Sequence, residues 1–441
     1  MPGPVEALRV TAVAAGGDGV AREPSGRVVL VAGALPGELV DAEIVDQRRD
    51  HARADVVAVR EAAPGRADPP CPFVAAGCGG CGWQHVAPAA QRQLKVDVVT
   101  DALRRQGGVA HPRVSAGPVL RATAYRTTLR GAADDRGHFA LRPRHSHDLV
   151  AVPACLVAHP LVAEVLARGR FPPGAEITVR VGARTGERMV VVDALEHPAD
   201  AADAADVAAV TVPQDVRVVT GAELAAGRRA WIHEVVAGHR LRLSARSFFQ
   251  ARPDGAEALV DAVRTALDGA LGAGTRLADL YGGVGLFAVA LAHDVGAAAH
   301  GVASADGGGA AGPEAGGDDN GRVEVVEASA SSAADARINV SQLGERVRVV
   351  RSDVARWRAR RMDVVVADPP RAGLGRGGTR AVAATRAHRL ALVSCDAGAL
   401  GRDVRLLAEA GYRLVDATVI DLFPHTPRVE VVSRFDLVAS G

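Results

Sequence analysis

The sequence predicts a three-part α/β chain: a small β-barrel over residues 1–62, a mostly β central domain over 63–245, and a doubly wound, mostly parallel sheet over 246–441. Three observations carry this reading. Short β-rich runs separated by Gly and Pro turns fill the first part. Clustered cysteines and hairpin-like turns mark the second. From about Arg246 strand patterns alternate with helical ones, as a sheet with crossover helices requires.

In the first part Arg27–Val31, Glu38–Val45 and Ala52–Val59 read as strands, punctuated by Gly16-Gly17-Asp18-Gly19 and Leu35-Pro36-Gly37. This spacing predicts a barrel of the oligonucleotide-binding kind. Arg48, Arg49, His51 and Arg53 form a local basic run, suited equally to nucleic acid and to a solvated strand end. Pro64–Pro70 reads as a linker. A helix is expected from about Ala89 to Gln106, with Leu94, Val98 and Leu103 on its apolar face. From about Thr123 to Leu243 strands dominate, turning near Asp134–Gly137 and Gly182–Gly186, while Ala201–Ala209 reads as a loop or weak helix.

In the last part strands are expected at Arg276–Leu280, Val323–Val326, Val347–Val350, Asp363–Ala367 and Arg389–Val393. Helices are expected from Leu286, over Ala333–Leu343 and over Ala399–Glu409. Val415–Ile420 and Val429–Phe435 would close the sheet as an antiparallel edge. Ala303–Gly321 is crowded with Gly, Ala and Asp and cannot pack a core, so 301–322 is expected to be a disordered surface insertion.

Composition bounds the function. A chain of 441 residues accommodates two or three cores. The formal net charge is only +1, so no global basic field marks a nucleic-acid partner. Lys95 is the only lysine; arginine, which forks onto phosphate and stacks on bases, supplies every other basic side chain. A general bias toward Ala, Gly, Arg and Val accounts for most of that skew. The apolar runs fall short of the roughly 18 residues that span a bilayer, and Met1–Glu6 lacks the pattern of a signal peptide. A cytoplasmic protein without membrane partners is expected, its five cysteines reduced, metal-bound or catalytic.

Those cysteines divide four plus one. Cys71, Cys78 and Cys81 are clustered among glycines, and Cys155 follows alone. Three close thiolates with a distant fourth suit an iron–sulfur cluster; tetrahedral zinc and unliganded thiols remain the alternatives. Cys395 stands apart, just beyond the strand Arg389–Val393, where ligands bind open α/β sheets. An isolated cysteine is otherwise a small core residue.

Asp279-Leu280-Tyr281-Gly282-Gly283-Val284-Gly285 places glycines where a strand turns into a helix, allowing close backbone approach to a ligand. Taken alone, the same device serves nicotinamide dinucleotides. Glu327 closes the next strand, Asp353 the third and Asp368 the fourth, an acidic series suited to a nucleoside. With Cys395 in Leu392-Val393-Ser394-Cys395-Asp396 and Glu430 in Pro427-Arg428-Val429-Glu430, the set supplies a thiol, a base and a cofactor loop.

On these motifs nearly the whole chain resembles the bacterial RNA 5-methyluridine methyltransferases, which act on uridine C5 in ribosomal or transfer RNA. The resemblance implies an N-terminal TRAM domain, a central domain with a [4Fe–4S] cluster on Cys71, Cys78, Cys81 and Cys155, and a Rossmann-like class I S-adenosylmethionine methyltransferase domain. It implies that Gln250, Tyr281, Glu327 and Asp368 bind S-adenosylmethionine, that Cys395 is the nucleophile and that Glu430 is the base. The substrate would be RNA, 23S ribosomal RNA first and transfer RNA as the alternative, and the protein a monomer. In the implied chemistry Cys395 adds to uracil C6, C5 takes the methyl group, and Glu430 removes the C5 proton. Arg371 would contact phosphate or the enolate charge. Phe248 and Phe249 are stacking candidates, with Phe249 favoured as a core residue. An amino-group methyltransferase and a catalytically decayed RNA-binding iron–sulfur protein are the competing readings.

The chain also departs from the family pattern. Gly282 stands where cysteine is frequent, Asp396-Ala397 where Asn-Pro is usual, and Arg428 and Arg252 where His or Asn is common. The Cys71–Cys78 spacing is one residue longer. A carboxylate at 396 should raise the thiol pKa unless it is turned toward another partner.

Overall fold

The computed structural model describes residues 4–144, 146–193, 210–296 and 321–438. Most of the expected 301–322 insertion and all of Ala201–Ala209 lie outside them; within 301–322, Arg322 opens the strand Arg322–Glu327.

The N-terminal part is one six-stranded sheet around a core of Val29, Val31, Val40, Ala42, Ala52 and Ala54. Its long strands Leu39–Gln47 and His51–Glu61 alternate inward apolar and outward polar residues. Arg66 reaches back to it, forking onto the buried Glu38 at 2.5 and 2.7 Å.

The central region holds a second six-stranded sheet, built on Thr128–Ala133, Glu176–Val181 and Arg188–Asp193. Both expected hairpin turns are present. In the first, Asp134 accepts from the amides of Arg136 and His138, which shapes the reversal.

The last part is an eight-stranded sheet. Its order is Val347–Arg351, Arg322–Glu327, Arg276–Leu280, Val364–Ala367, Arg389–Ser394, Glu430–Leu437, Tyr412–Ile420 and Val114–Ala116. The first five run parallel; Glu430–Leu437 pairs antiparallel with both neighbours. Apart from the edge strand Val347–Arg351, the parallel strands are Val-, Leu- and Ala-rich and largely buried on both faces, as strands flanked by helices must be.

Two features differ from the expected layout. The antiparallel pair does not form the edge: Val114–Ala116, from the region assigned to the central domain, adds a parallel strand outside it. The helix Pro88–Arg105 belongs with it, because Val98, Val99, Ala102 and Leu103 enter the same core as Leu390, Leu400 and Phe435. Residues 88–116 therefore pack on the C-terminal sheet. No helix among the described residues is long and apolar enough to cross a membrane.

Candidate active site

The glycine turn follows the strand Arg276–Leu280. Tyr281, Gly283 and Gly285 have φ of 58°, 54° and 87°, a left-handed path that suits glycine and strains tyrosine. At Gly282 a Cβ would lie 2.6 Å from Val325 Cγ1, so the turn sits closer to the sheet than cysteine would allow. Glu327 accepts from the amides of Gly283 at 2.9 Å and Ser329 at 2.6 Å, joining the turn to the next strand end. Ser247 bonds Ser331 at 2.9 Å, which brings the loop carrying the buried Gln250 beside that strand end.

Asp279 was quoted only as part of the motif, yet it is fully buried. One carboxylate oxygen accepts from Ala288 at 3.0 Å; the other has no partner among the described residues. Burial, then the charges of Asp368 and Glu327, push its pKa up to about 7. Asp368 is partly exposed as a residue, while burial of its carboxyl pushes its pKa up to about 7 as well. A concentration of carboxylates at the strand ends favours a ligand that brings positive charge.

Cys395 and Glu430 are brought together by the sheet. Ser394 pairs with Val431 across adjacent strands, so the residue after one strand meets the first residue of the other. Both line a cleft of about 290 Å³, with Arg371 and Arg428, and with Gly17 and Trp83 from the two N-terminal parts. The Cys395 thiol is pushed up to about 11 by burial, then by Glu430, Asp368 and Asp396. Burial and the Asp368 charge hold Glu430 well above the usual carboxylate range, opposed by Arg428 and Lys95. Asp396 caps the helix Ala397–Glu409 through the Ala399 amide at 2.9 Å and faces Arg371 at 3.5 Å, yet its charge still raises the Cys395 thiol.

The loop after Asp368-Pro369-Pro370-Arg371 is held by a residue that sequence reading missed. Asp403, buried on the helix Ala397–Glu409, accepts from Leu374 at 2.7 Å and Gly375 at 2.9 Å. Its only local signal was an aspartate on a helix face that is otherwise apolar. Phe248 is 70% exposed, free to stack on a ligand, whereas Phe249 packs on the core as favoured. Arg252 is buried, paired with Asp254 at 2.6 Å and stacked 4.3 Å from the Tyr125 ring.

The four remaining cysteines line a second cavity of about 200 Å³. None is in a disulfide. Burial, then the charges of neighbouring cysteines, raises the thiols of Cys78, Cys81 and Cys155. Among the described residues no group of three or more His, Cys, Asp or Glu is arranged so that it could hold a metal ion. Gly79, Gly80, Thr426 and Arg428 line both cavities, so this pocket shares a wall with the cleft.

Comparison with known proteins matches the TRAM domain to residues 1–57. The chain is 33% identical to an uncharacterized RNA methyltransferase of Streptomyces avermitilis, covering 98% of each chain. It is 32% identical to a 23S rRNA (uracil(1939)-C(5))-methyltransferase of Chromohalobacter salexigens, over 96% of this chain and 88% of that protein. Among solved structures, the Pyrococcus abyssi tRNA (uracil-54, C5)-methyltransferase in complex with S-adenosyl-L-homocysteine superposes with a TM-score of 0.67 at 20% identity, covering 97% of this chain and 99% of that one. At that identity the likeness speaks for the fold.

Proposed function

The chain belongs to the RNA methyltransferase family, and from that premise we propose that it methylates C5 of a uridine in 23S ribosomal RNA, using S-adenosylmethionine. The observation that carries this is the meeting of Cys395 and Glu430 at adjacent strand ends on one cleft. An amino-group methyltransferase needs neither.

Uracil C5 is a poor nucleophile until C6 is attacked. The Cys395 sulfur, once deprotonated, bonds C6, and the C5–C6 π pair becomes enolate density on C5. S-adenosylmethionine would supply the electrophilic methyl group: C5 takes it as the S–CH3 bond breaks and S-adenosylhomocysteine leaves. Glu430 then removes the C5 proton, the pair re-forms C5=C6, and the Cys395–C6 bond breaks. Arg371 and Arg428 supply positive charge where the enolate develops. The raised thiol pKa means that Cys395 must lose its proton as part of the reaction.

In the same reading Gln250, Tyr281, Glu327 and Asp368 hold the cofactor. Their places at the carboxyl ends of strands, or beside them, support that role. Cys71, Cys78, Cys81 and Cys155 hold a [4Fe–4S] cluster in this reading, which their shared cavity and the lack of a disulfide among them support. The enzyme acts as a monomer in the cytoplasm, where its RNA is found.

The test is anaerobic incubation with labelled S-adenosylmethionine and unmodified ribosomal or transfer RNA, followed by mapping of the label. Label in 5-methyluridine of 23S RNA is expected; label only in transfer RNA would overturn the substrate. RNA containing 5-fluorouridine should trap a denaturant-stable adduct, absent in Cys395→Ala. Persistent turnover by that variant would refute the covalent scheme.

A further inference from the structure

The turn from Asp421 to Val429, which delivers Glu430 to the cleft, packs Leu422 and Val429 against its own sheet but takes few of its hydrogen bonds there. Instead, consecutive carbonyls are held from other segments. Leu422 O accepts from Arg252 at 3.5 Å, Phe423 O from Lys95 at 3.0 Å, Pro424 O from Tyr125 at 3.3 Å, and His425 O from the Trp83 amide at 2.9 Å. Gln91 accepts from the His425 amide at 2.6 Å, fixing a residue whose φ is 66°. Gln91 and Lys95 are one helical turn apart on Pro88–Arg105, both wholly buried, and they face the turn together.

Lys95 stands out in a chain whose other basic side chains of this kind are all arginine. Of 52 basic residues it alone is lysine. Its ammonium is enclosed, 2.5 Å from Asp421 Oδ1 and 3.0 Å from Phe423 O. A guanidinium there would bring a planar fork with five N–H donors into a space that offers two acceptors. Asp421 directly follows Ile420, the strand partner of Glu430. An anchor at Asp421 therefore acts one residue from the base's own register.

We propose that Lys95 is a positioning residue for Glu430: it clamps Asp421 and the Phe423 carbonyl, and its buried positive charge favours the carboxylate that takes the C5 proton. This rests on the covalent reading above. The charged and titratable groups around Glu430 are Asp368 and Cys395 from the neighbouring strand ends, Arg428 from its own loop, and Lys95 with Asp421 and His425 across the turn. Asp368 disfavours the Glu430 anion; Arg428 and Lys95 favour it. Losing Lys95 makes Glu430 hold its proton more tightly. Proton removal from C5 then slows. Cys395 attack does not, because a charged Glu430 opposes the thiolate.

The experiment compares wild type, Lys95→Met, Lys95→Arg and Lys95→Met/Asp421→Asn, each checked for folding by thermal melting. The double variant replaces the buried pair with neutral groups of similar size, so it remains folded if an orphaned Asp421 unfolds the single one. Two steps are measured from pH 6 to 9: single-turnover methyl incorporation, and decay of the methylated RNA–protein adduct. Lys95→Met and the double variant should keep incorporation within about threefold, slow adduct decay about tenfold at pH 7, and move its acidic limb to higher pH. Lys95→Arg should not restore wild-type decay. Equal loss in both steps, or an unmoved acidic limb, overturns the assignment. Failure of the wild type to form any adduct with 5-fluorouridine RNA sinks the covalent reading itself.

Discussion

Asp396→Asn isolates a charge from the geometry around the nucleophile. Asp396 caps the helix Ala397–Glu409 through the Ala399 amide, and Asn caps about as well, so helix stability should change by less than about 0.5 kcal/mol. The exposed pairing with Arg371 at 3.5 Å contributes little, about 0–1 kcal/mol. The effect falls on Cys395, whose thiol burial and three carboxylates, Asp396 the least of them, hold at about 11. One charge near contact is worth about 1 kcal/mol in water-like surroundings and about 4 at an effective dielectric near 20. For the weakest of three partners at a half-buried site the lower figure applies, roughly fivefold in thiolate. Far below its pKa the thiolate fraction follows the acidity constant directly, but a less basic sulfur is also a poorer nucleophile, with a Brønsted slope of about 0.4–0.5. The net gain is about two- to threefold. Site-resolved alkylation of Cys395 by iodoacetamide at pH 8, followed by mass spectrometry, measures it. Unchanged or slower alkylation with an unchanged melting temperature would refute the electrostatic argument. Asp396→Ala should show the same gain and lose about 0.5–2 kcal/mol through the missing cap.

Two further outcomes concern stability. Asp403→Ala removes the acceptor of the Leu374 and Gly375 amides and should cost about 2–4 kcal/mol in urea unfolding, since buried donors are left unpaired; a loss below about 0.5 kcal/mol would show that the loop finds other partners. Asp279 binds its proton more tightly folded than unfolded, so between its ordinary pKa and about 7 the native state carries the extra proton and stability falls as pH rises. Asp279→Asn should therefore raise the melting temperature at pH 8 more than at pH 5, and an equal change at both would contradict the assignment.

Much of the site was legible in the chain because its signals are local. A cysteine after a buried strand, a glutamate opening the next, and glycines at the first strand-to-helix turn each follow from a few adjacent residues. Their meeting depends on Glu430–Leu437 pairing directly with Arg389–Ser394, which the alternation of strands and helices does not specify. The four cysteines could be read as one group from spacing alone, although nothing in the spacing showed that their cavity adjoins the cleft.

By itself, then, the sequence determined the doubly wound sheet, the place of Cys395 at its carboxyl edge, and the grouping of the four cysteines, because periodicity and turn chemistry act over short spans. Only the tertiary structure decided what surrounds them. Residues 88–116 left the central region for the C-terminal sheet because the Val98, Val99 and Leu103 face finds its apolar partner there. That docking carries Gln91 and Lys95 to the turn before Glu430, across more than 300 residues of chain. Asp396 turned to its helix, and Asp403 to the loop after Asp368, because each had backbone amides to satisfy within reach. Such partnerships depend on which surfaces meet, and local pattern holds no record of that.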